Sequence, residues 1–257
     1  MDTKALLDRF ELLFSSDSRF SDLRRFYLDN DTNSLFRLLE TFSSSQLIVA
    51  VRKLIDNPNF VSDCLARGQV KSKLWLIEEI AKLEKKKNLT LGTVFLCGGW
   101  YGTLATMMFE RNFNITKIRS FDIDESCREI AEIFNKPWVM QDWKFKASTQ
   151  DIHDIDYSNH VYHVYRSDGS QCELTDSPDT VINTSCEHII NFEKWYSKIP
   201  TGKLVILQTN NYFEIPEHIN CSKSLEQFAS QTPMTTILYE GELFLDKYLR
   251  FMRIGIK

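Results

Sequence analysis

The sequence has no long apolar run, no dense block of lysine and arginine, and no C-x-x-C pair. The first absence predicts that no segment spans a membrane. The charged, helical start M-D-T-K-A-L-L-D-R-F predicts no signal peptide either, so the expected location is cytoplasmic. The second absence, with a formal net charge of -4, argues against extended nucleic-acid binding, because phosphate contacts call for a basic face. The third leaves the six cysteines (Cys64, Cys97, Cys127, Cys172, Cys186 and Cys221) as reduced thiols rather than a structural zinc site. What remains is ordinary for a globular protein: 43% hydrophobic and 26% charged over 257 residues, enough for one large core and an appendage.

The informative stretch is Val94 to Gly102, V-F-L-C-G-G-W-Y-G. A short apolar run reads as a buried parallel strand over Thr93 to Leu96. Gly98, Gly99 and Gly102 let the backbone turn close to a ligand, and Thr103 to Arg111 has helical apolar spacing. A strand, a glycine turn and a helix form a cradle whose unpaired N–H groups favour an anion or an acceptor. Ile118 to Asp124 then reads as a second strand ending in carboxylates, followed by a helix from Glu125 to Phe134. Asp122 is placed to accept hydrogen bonds from both hydroxyls of a ribose, with Ile123 beside it, while Asp124 serves either a ligand or the cap of the next helix. Val139 to Trp143, V-M-Q-D-W, reads as a third strand end, where Gln141 or Asp142 would bond an adenine amino group and Trp143 would stack on the ring. Asp179 to Ile189, D-T-V-I-N-T-S-C-E-H-I, is a fourth strand breaking into small polar residues at Asn183.

This order of features resembles the Rossmann-like (class I) S-adenosylmethionine-dependent methyltransferases, from about Leu89 to the C-terminus. The resemblance implies an α/β fold: a mostly parallel sheet with helices on both faces and an antiparallel C-terminal strand. It also implies S-adenosylmethionine as cofactor. Its amino-acid end would lie over Cys97, Gly98, Gly99, Trp100 and Gly102, its ribose on Asp122 and Ile123, and its adenine near Gln141, Asp142 and Trp143, with Asn183 at the adjoining strand end. The chain departs from the family at several points. No acid precedes the glycines, and Trp100 and Tyr101 are bulky for such a turn. The G-x-G-x-x-G spacing of dinucleotide folds is absent too.

Glu187 and His188 follow the fourth strand, where the acceptor would stand, and are the expected catalytic pair, His188 being either a general base or a packed histidine. Thr184 stands where metal-using relatives have a first glutamate, so no metal is expected. Cys186 lacks the preceding proline of a pyrimidine-attacking nucleophile and is expected to be a buried thiol. The fifth strand, Lys203 to Gln208, runs into Q-T-N-N-Y, which suggests a polar substrate surface at Asn210 and Tyr212, to which Tyr101 is also assigned, or else a loop of turn formers. His218 reads as a surface residue. Residues 1–88 read as a helical extension and possible lid, with apolar faces at Leu6 to Phe14 and Leu35 to Phe42, and 89–257 as the main domain with a hairpin insertion around 160–174. Thr235 to Leu243 and Tyr248 to Ile256 read as a closing pair of strands. The expected function is methyl transfer to a polar acceptor, a small molecule before others. The competing expectation is an inactive scaffold in which Trp100 and Tyr101 fill the pocket.

Overall fold

The computed structural model describes residues 56–257 apart from 166 and 167, together with 45–54 and positions 25, 29, 31 and 39. Met1–Phe60 and Val61–Lys257 are separate compact units. In the first, α1 (Gln46–Leu54) buries Ala50, Val51 and Leu54. The apolar faces expected at 6–14 and 35–42 lie outside the described residues apart from Leu39, and so does most of the expected lid.

The second unit opens with α2 (Arg67–Lys87), which ends on Asn88 in the left-handed conformation after Lys85, Lys86 and Lys87. Three cations on the last turn suit the negative end of the helix dipole. The boundary expected at residue 88 therefore falls earlier. α2 packs Leu76, Ile77, Ile80 and Leu83 into the same core as the strands, so it is a layer of the main unit and not an appendage.

After α2 come β1 (Gly92–Cys97), α3 (Thr103–Glu110), β2 (Ile115–Asp122), α4 (Ser126–Phe134), α5 (Lys136–Val139) and β3 (Phe145–Thr149). The chain continues through β4 (His160–Tyr165), β5 (Gln171–Asp176), β6 (Thr180–Asn183), α6 (Phe192–Lys198) and β7 (Leu204–Asn210). It closes with α7 (Leu225–Gln231), β8 (Thr236–Leu245) and β9 (Tyr248–Ile256). The 7-stranded sheet has the order β3-β2-β1-β6-β7-β9-β8. The first five of these are mutually parallel, while β9 runs antiparallel to β7 and to β8.

The side-chain alternation of the strands explains the layers. Val94 and Leu96 of β1, Ile182 of β6, Ile206 of β7 and Ile254 of β9 face α2 and α3. Their neighbours Phe95, Cys97, Val181, Val205, Leu207 and Phe251 face Trp195 and Tyr196 of α6 and Phe228 of α7. Strands buried on both faces read as continuous apolar runs, which is how β1, β6 and β7 appear in the sequence.

The expected hairpin is β4–β5, paired from His160↔Asp176 to Tyr165↔Gln171. His160 and Tyr162 are buried, and Asp176 bridges Arg119 (2.6 Å) and Lys117 (2.7 Å) of β2, with Tyr162 also bonded to Asp176. Burial pushes the Asp176 carboxyl up, but the bonds from Lys117, Tyr162 and Arg119 outweigh it and hold the carboxyl below its ordinary value. A buried arginine needs such a partner, and this ion pair fastens the insertion to the sheet.

Candidate active site

β1 has β2 and β3 on one side, and the chain returns to its other side as β6. Loops leaving strands at such a reversal diverge and open a crevice at the carboxyl ends. A cleft of ≈ 660 Å³ lies there.

Its floor is the glycine turn. Gly98 (φ +63) leaves β1 in the left-handed region, and a Cβ on it would come no nearer than 4.0 Å to Asn183 and Ser185 at the end of β6. Gly99 is glycine for a different reason: a Cβ there would stand 2.0 Å from Ser120 Oγ. Trp100 also has positive φ (47), a strained conformation for an indole-bearing residue, and its N–H donates to Asp122 Oδ2 at 2.7 Å. The other carboxylate oxygen of Asp122 accepts the N–H of Asp124 at 3.1 Å. The turn after β1 and the acid ending β2 thus form one hydrogen-bonded unit. Burial raises the Asp122 carboxyl above its ordinary value, against the lowering effect of these N–H groups. Asp124 accepts the N–H of Ser126 at 2.9 Å, at the start of α4.

Gly98, Gly99, Trp100, Asp122 and Ile123 all line the cleft. The Trp100 ring is stacked on Tyr101 (centroids 4.8 Å, interplanar angle 24°), and the cleft beside it is open.

The other expected positions fall elsewhere. Cys97 is sealed in the core with its sulfur 3.4 Å from Tyr157 OH, and burial pushes its thiol up to about 12. Gly102 lies against Asn135, whose Nδ2 donates to the Gly102 carbonyl at 3.1 Å. Tyr101 is buried, with its hydroxyl accepting the N–H of Val61 at 3.4 Å. Asn183 is fully buried and folds its Oδ1 back to Ser185 N–H. Gln141, Asp142 and Trp143 do not end a strand at all. Pro137 lies in the first turn of the short helix α5, and of the apolar Val139 and Met140 that resemble a strand entrance the first is its last residue and the second its C-cap. Asp142 and Trp143 then turn the chain through two left-handed residues into β3, at the edge of the sheet away from the cleft.

The true carboxyl end of β3 carries Asp151, Ile152 and His153, and these line the cleft. Asp151 accepts the His153 N–H at 2.8 Å, which with the ring contact holds its carboxyl below the ordinary value against partial burial. The alternation F-K-A-S-T followed by Q-D-I was the available signal.

Q-T-N at the end of β7 is not a substrate surface either. Gln208 exchanges hydrogen bonds with Ser72, and Asn210 donates to Glu187 and accepts from Tyr212 N–H. All three residues are buried. Tyr212 stacks on Tyr248 at 5.1 Å. Glu187 is only 3% exposed. Its Oε1 takes Asn210 Nδ2 (2.7 Å) and Arg250 Nη1 (3.3 Å), while Oε2 has no hydrogen-bond partner. His188 is exposed and lines the cleft, as does His218, the residue expected at the surface. α2 and the turn before it add Asp63, Gln69 and Lys73 to the wall. The Lys73 amine donates to Gln69 at 2.7 Å.

Searches of solved structures find this arrangement repeatedly. The N-methyltransferase NodS from Bradyrhizobium japonicum WM9 aligns with TM-score 0.50 and 10% identity over 79% of this chain and 98% of that one. Magnesium protoporphyrin IX methyltransferase (ChlM) from Synechocystis PCC 6803, with bound SAH, aligns with TM-score 0.50 and 14% identity over 86% and 99%. The chain has the class I methyltransferase fold. A putative sarcosine dimethylglycine methyltransferase from Galdieria sulphuraria is similar at TM-score 0.50, 10% identity, 74% of this chain and 86% of that one. No family model and no curated protein sequence matches the chain. In methyltransferase-fold terms, the glycine turn, the acid of β2 and the end of β3 surround one crevice, as the strand order requires.

Proposed function

We propose that the protein is an S-adenosylmethionine-dependent methyltransferase acting on a polar small molecule. The observation that carries this reading is Asp122. It ends β2 beside an open glycine turn, is fixed by two backbone N–H groups, and lines a cleft of ≈ 660 Å³. Pockets that engulf small ligands span about 300–1,000 Å³. The residues present fit the cofactor. Each carboxylate oxygen of Asp122 has a lone pair left for a ribose hydroxyl. Gly98 to Trp100 underlie the amino-acid end, and Asp63 supplies the cleft carboxylate that the turn itself lacks. Ile123, Asp151 and Ile152 stand where the adenine would lie. The open cleft beside Trp100 favours an enzyme over a scaffold whose aromatics fill the pocket.

The bound cofactor brings an already activated methyl group, so the chain's task is alignment and exclusion of water. His188 stands on the acceptor side. Its Nδ1 lies 3.1 Å from the Glu217 carbonyl, which can only accept, so Nδ1 is the donor and the neutral ring has its lone pair on Nε2. Lys73 presents a cation for an acidic or polar acceptor, while Glu187, the expected catalytic partner, is tied to Asn210 and Arg250 in the interior.

The test is calorimetric titration of the purified protein with S-adenosylmethionine and its demethylated product, repeated on Asp122→Asn. Charge-assisted hydrogen bonds contribute about 1.5–3 kcal/mol each, so replacing the carboxylate should weaken binding roughly 100-fold. A folded wild type that binds neither compound overturns the reading.

A further inference from the structure

We propose that Glu187, His188 and His218 form a binding site for one divalent first-row transition-metal ion at the acceptor end of the cleft. With Thr184 in place of a first glutamate the sequence predicts no metal there, but the fold adds His218 to the pair, and one donor atom from each lies within 4.8 Å of the other two. Two further observations point to a ligand.

The first is the buried carboxylate. Glu187 Oε2 has no hydrogen-bond partner although the residue is 3% exposed, and Oε1 is held by Asn210 and Arg250. The backbone carbonyl of Glu187 is fixed as well, by the N–H of Asn220 at 2.8 Å. A carboxylate anchored by one oxygen with the other left bare in the interior carries a desolvation cost that a cation would remove.

The second is the state of the histidines. His188 Nδ1 faces the Glu217 carbonyl at 3.1 Å, and His218 Nδ1 faces the Tyr212 carbonyl at 2.7 Å. Carbonyls only accept, so Nδ1 is the donor in both rings, and Nε2 is the nitrogen that a neutral ring leaves for a ligand. Metal-bound histidines are held in this way, with the far nitrogen donating to a carbonyl or carboxylate. The rings meet edge to face at 4.7 Å.

Two imidazoles and one carboxylate suit zinc, iron, cobalt or nickel better than magnesium or calcium, which prefer all-oxygen shells. Three protein donors leave coordination positions open. Both histidines line the cleft, so those positions face the space assigned to the acceptor. Resting on the methyltransferase reading, this narrows the acceptor to a molecule that offers an oxygen or nitrogen ligand next to the atom methylated. Arg250 and Lys73 are the nearby cations. Arg250 is already paired with Glu187 Oε1, and Lys73 is directed to Gln69.

The experiment uses full-length, tag-free, EDTA-treated protein titrated with Co²⁺, followed by its visible d–d absorption, and with Zn²⁺ by calorimetry. The expected result is one ion per chain, with binding weakened roughly tenfold or more in His218→Ala, a partly exposed position whose replacement leaves the core intact. Circular dichroism checks the fold. The proposal fails if the wild type takes up neither ion stoichiometrically, or if His218→Ala binds as well as wild type. Titration of the same metal-free protein with S-adenosylmethionine separates the two ideas. Cofactor binding without metal uptake removes only the metal site, and metal uptake without cofactor binding removes only the methyltransferase reading.

Discussion

Replacing Lys73 by methionine should stabilise the protein, by an amount that depends on pH. Lys73 is 8% exposed on α2. Burial, and after it the charge of Arg250, lower its amine from an ordinary 10.5 to about 8. At about 1.4 kcal/mol per pH unit, that displacement opposes folding by about 3 kcal/mol wherever the amine is charged in both states. Below pH 8 the folded and unfolded chains both hold the proton and the cost is fully present. Between about 8 and 10.5 the unfolded chain holds it and the folded one releases it, so stability rises with pH. Above 10.5 the cost has vanished. Methionine is similar in length and apolar. It forfeits the bond to Gln69, worth about 1 kcal/mol, and Gln69 is partly exposed and can turn to water. The expected net gain is therefore about 2 kcal/mol at pH 7, shrinking steadily above pH 8. Urea denaturation of EDTA-treated protein across this range measures it directly. A loss of stability at pH 7, or a gain that does not change with pH, refutes the argument. The binding role proposed for Lys73 predicts in addition that the same variant binds an acidic or polar acceptor more weakly.

Gly99→Ala places a methyl 2.0 Å from Ser120 Oγ and should destabilise the protein by about 1–3 kcal/mol, and Ser120→Ala should recover most of the loss by removing that oxygen, as read by denaturant midpoints. Asp151→Ala should weaken S-adenosylmethionine binding roughly tenfold through one lost hydrogen bond, whereas Asp142→Ala, at the far edge of the sheet, should leave it unchanged. Equal effects of these two variants in calorimetry would return the adenine site to the stretch before β3.

The contrast between those two aspartates shows how far the residues alone could lead. Strands buried on both faces announce themselves as V-F-L-C, T-V-I-N and L-V-I-L, so the sheet was legible, together with the cleft-lining groups next to the ends of β1 and β2: Gly98, Gly99, Trp100, Asp122 and Ile123. Val139 and Met140 have the same apolar signature as a strand entrance, and only Pro137, two residues earlier, marks them as the end of a helical turn. The other failures have a common cause. Whether a polar residue faces a ligand or the interior depends on partners remote in sequence: Ser72 meets Gln208 across 136 positions and Arg250 meets Glu187 across 63. A run such as Q-T-N can thus resemble a substrate surface while every polar atom in it serves a buried network. Lys73 shows the reverse, since on a helix rich in charge it is indistinguishable from its solvated neighbours until the sheet is in place. Groups carried by strand ends inherit their position from local pattern, but groups carried by helix faces and long connections acquire theirs from packing. His218 belongs to the second kind: its ring meets that of His188 edge to face, and His188 reaches the Glu217 carbonyl across 29 positions, both contacts being products of the fold.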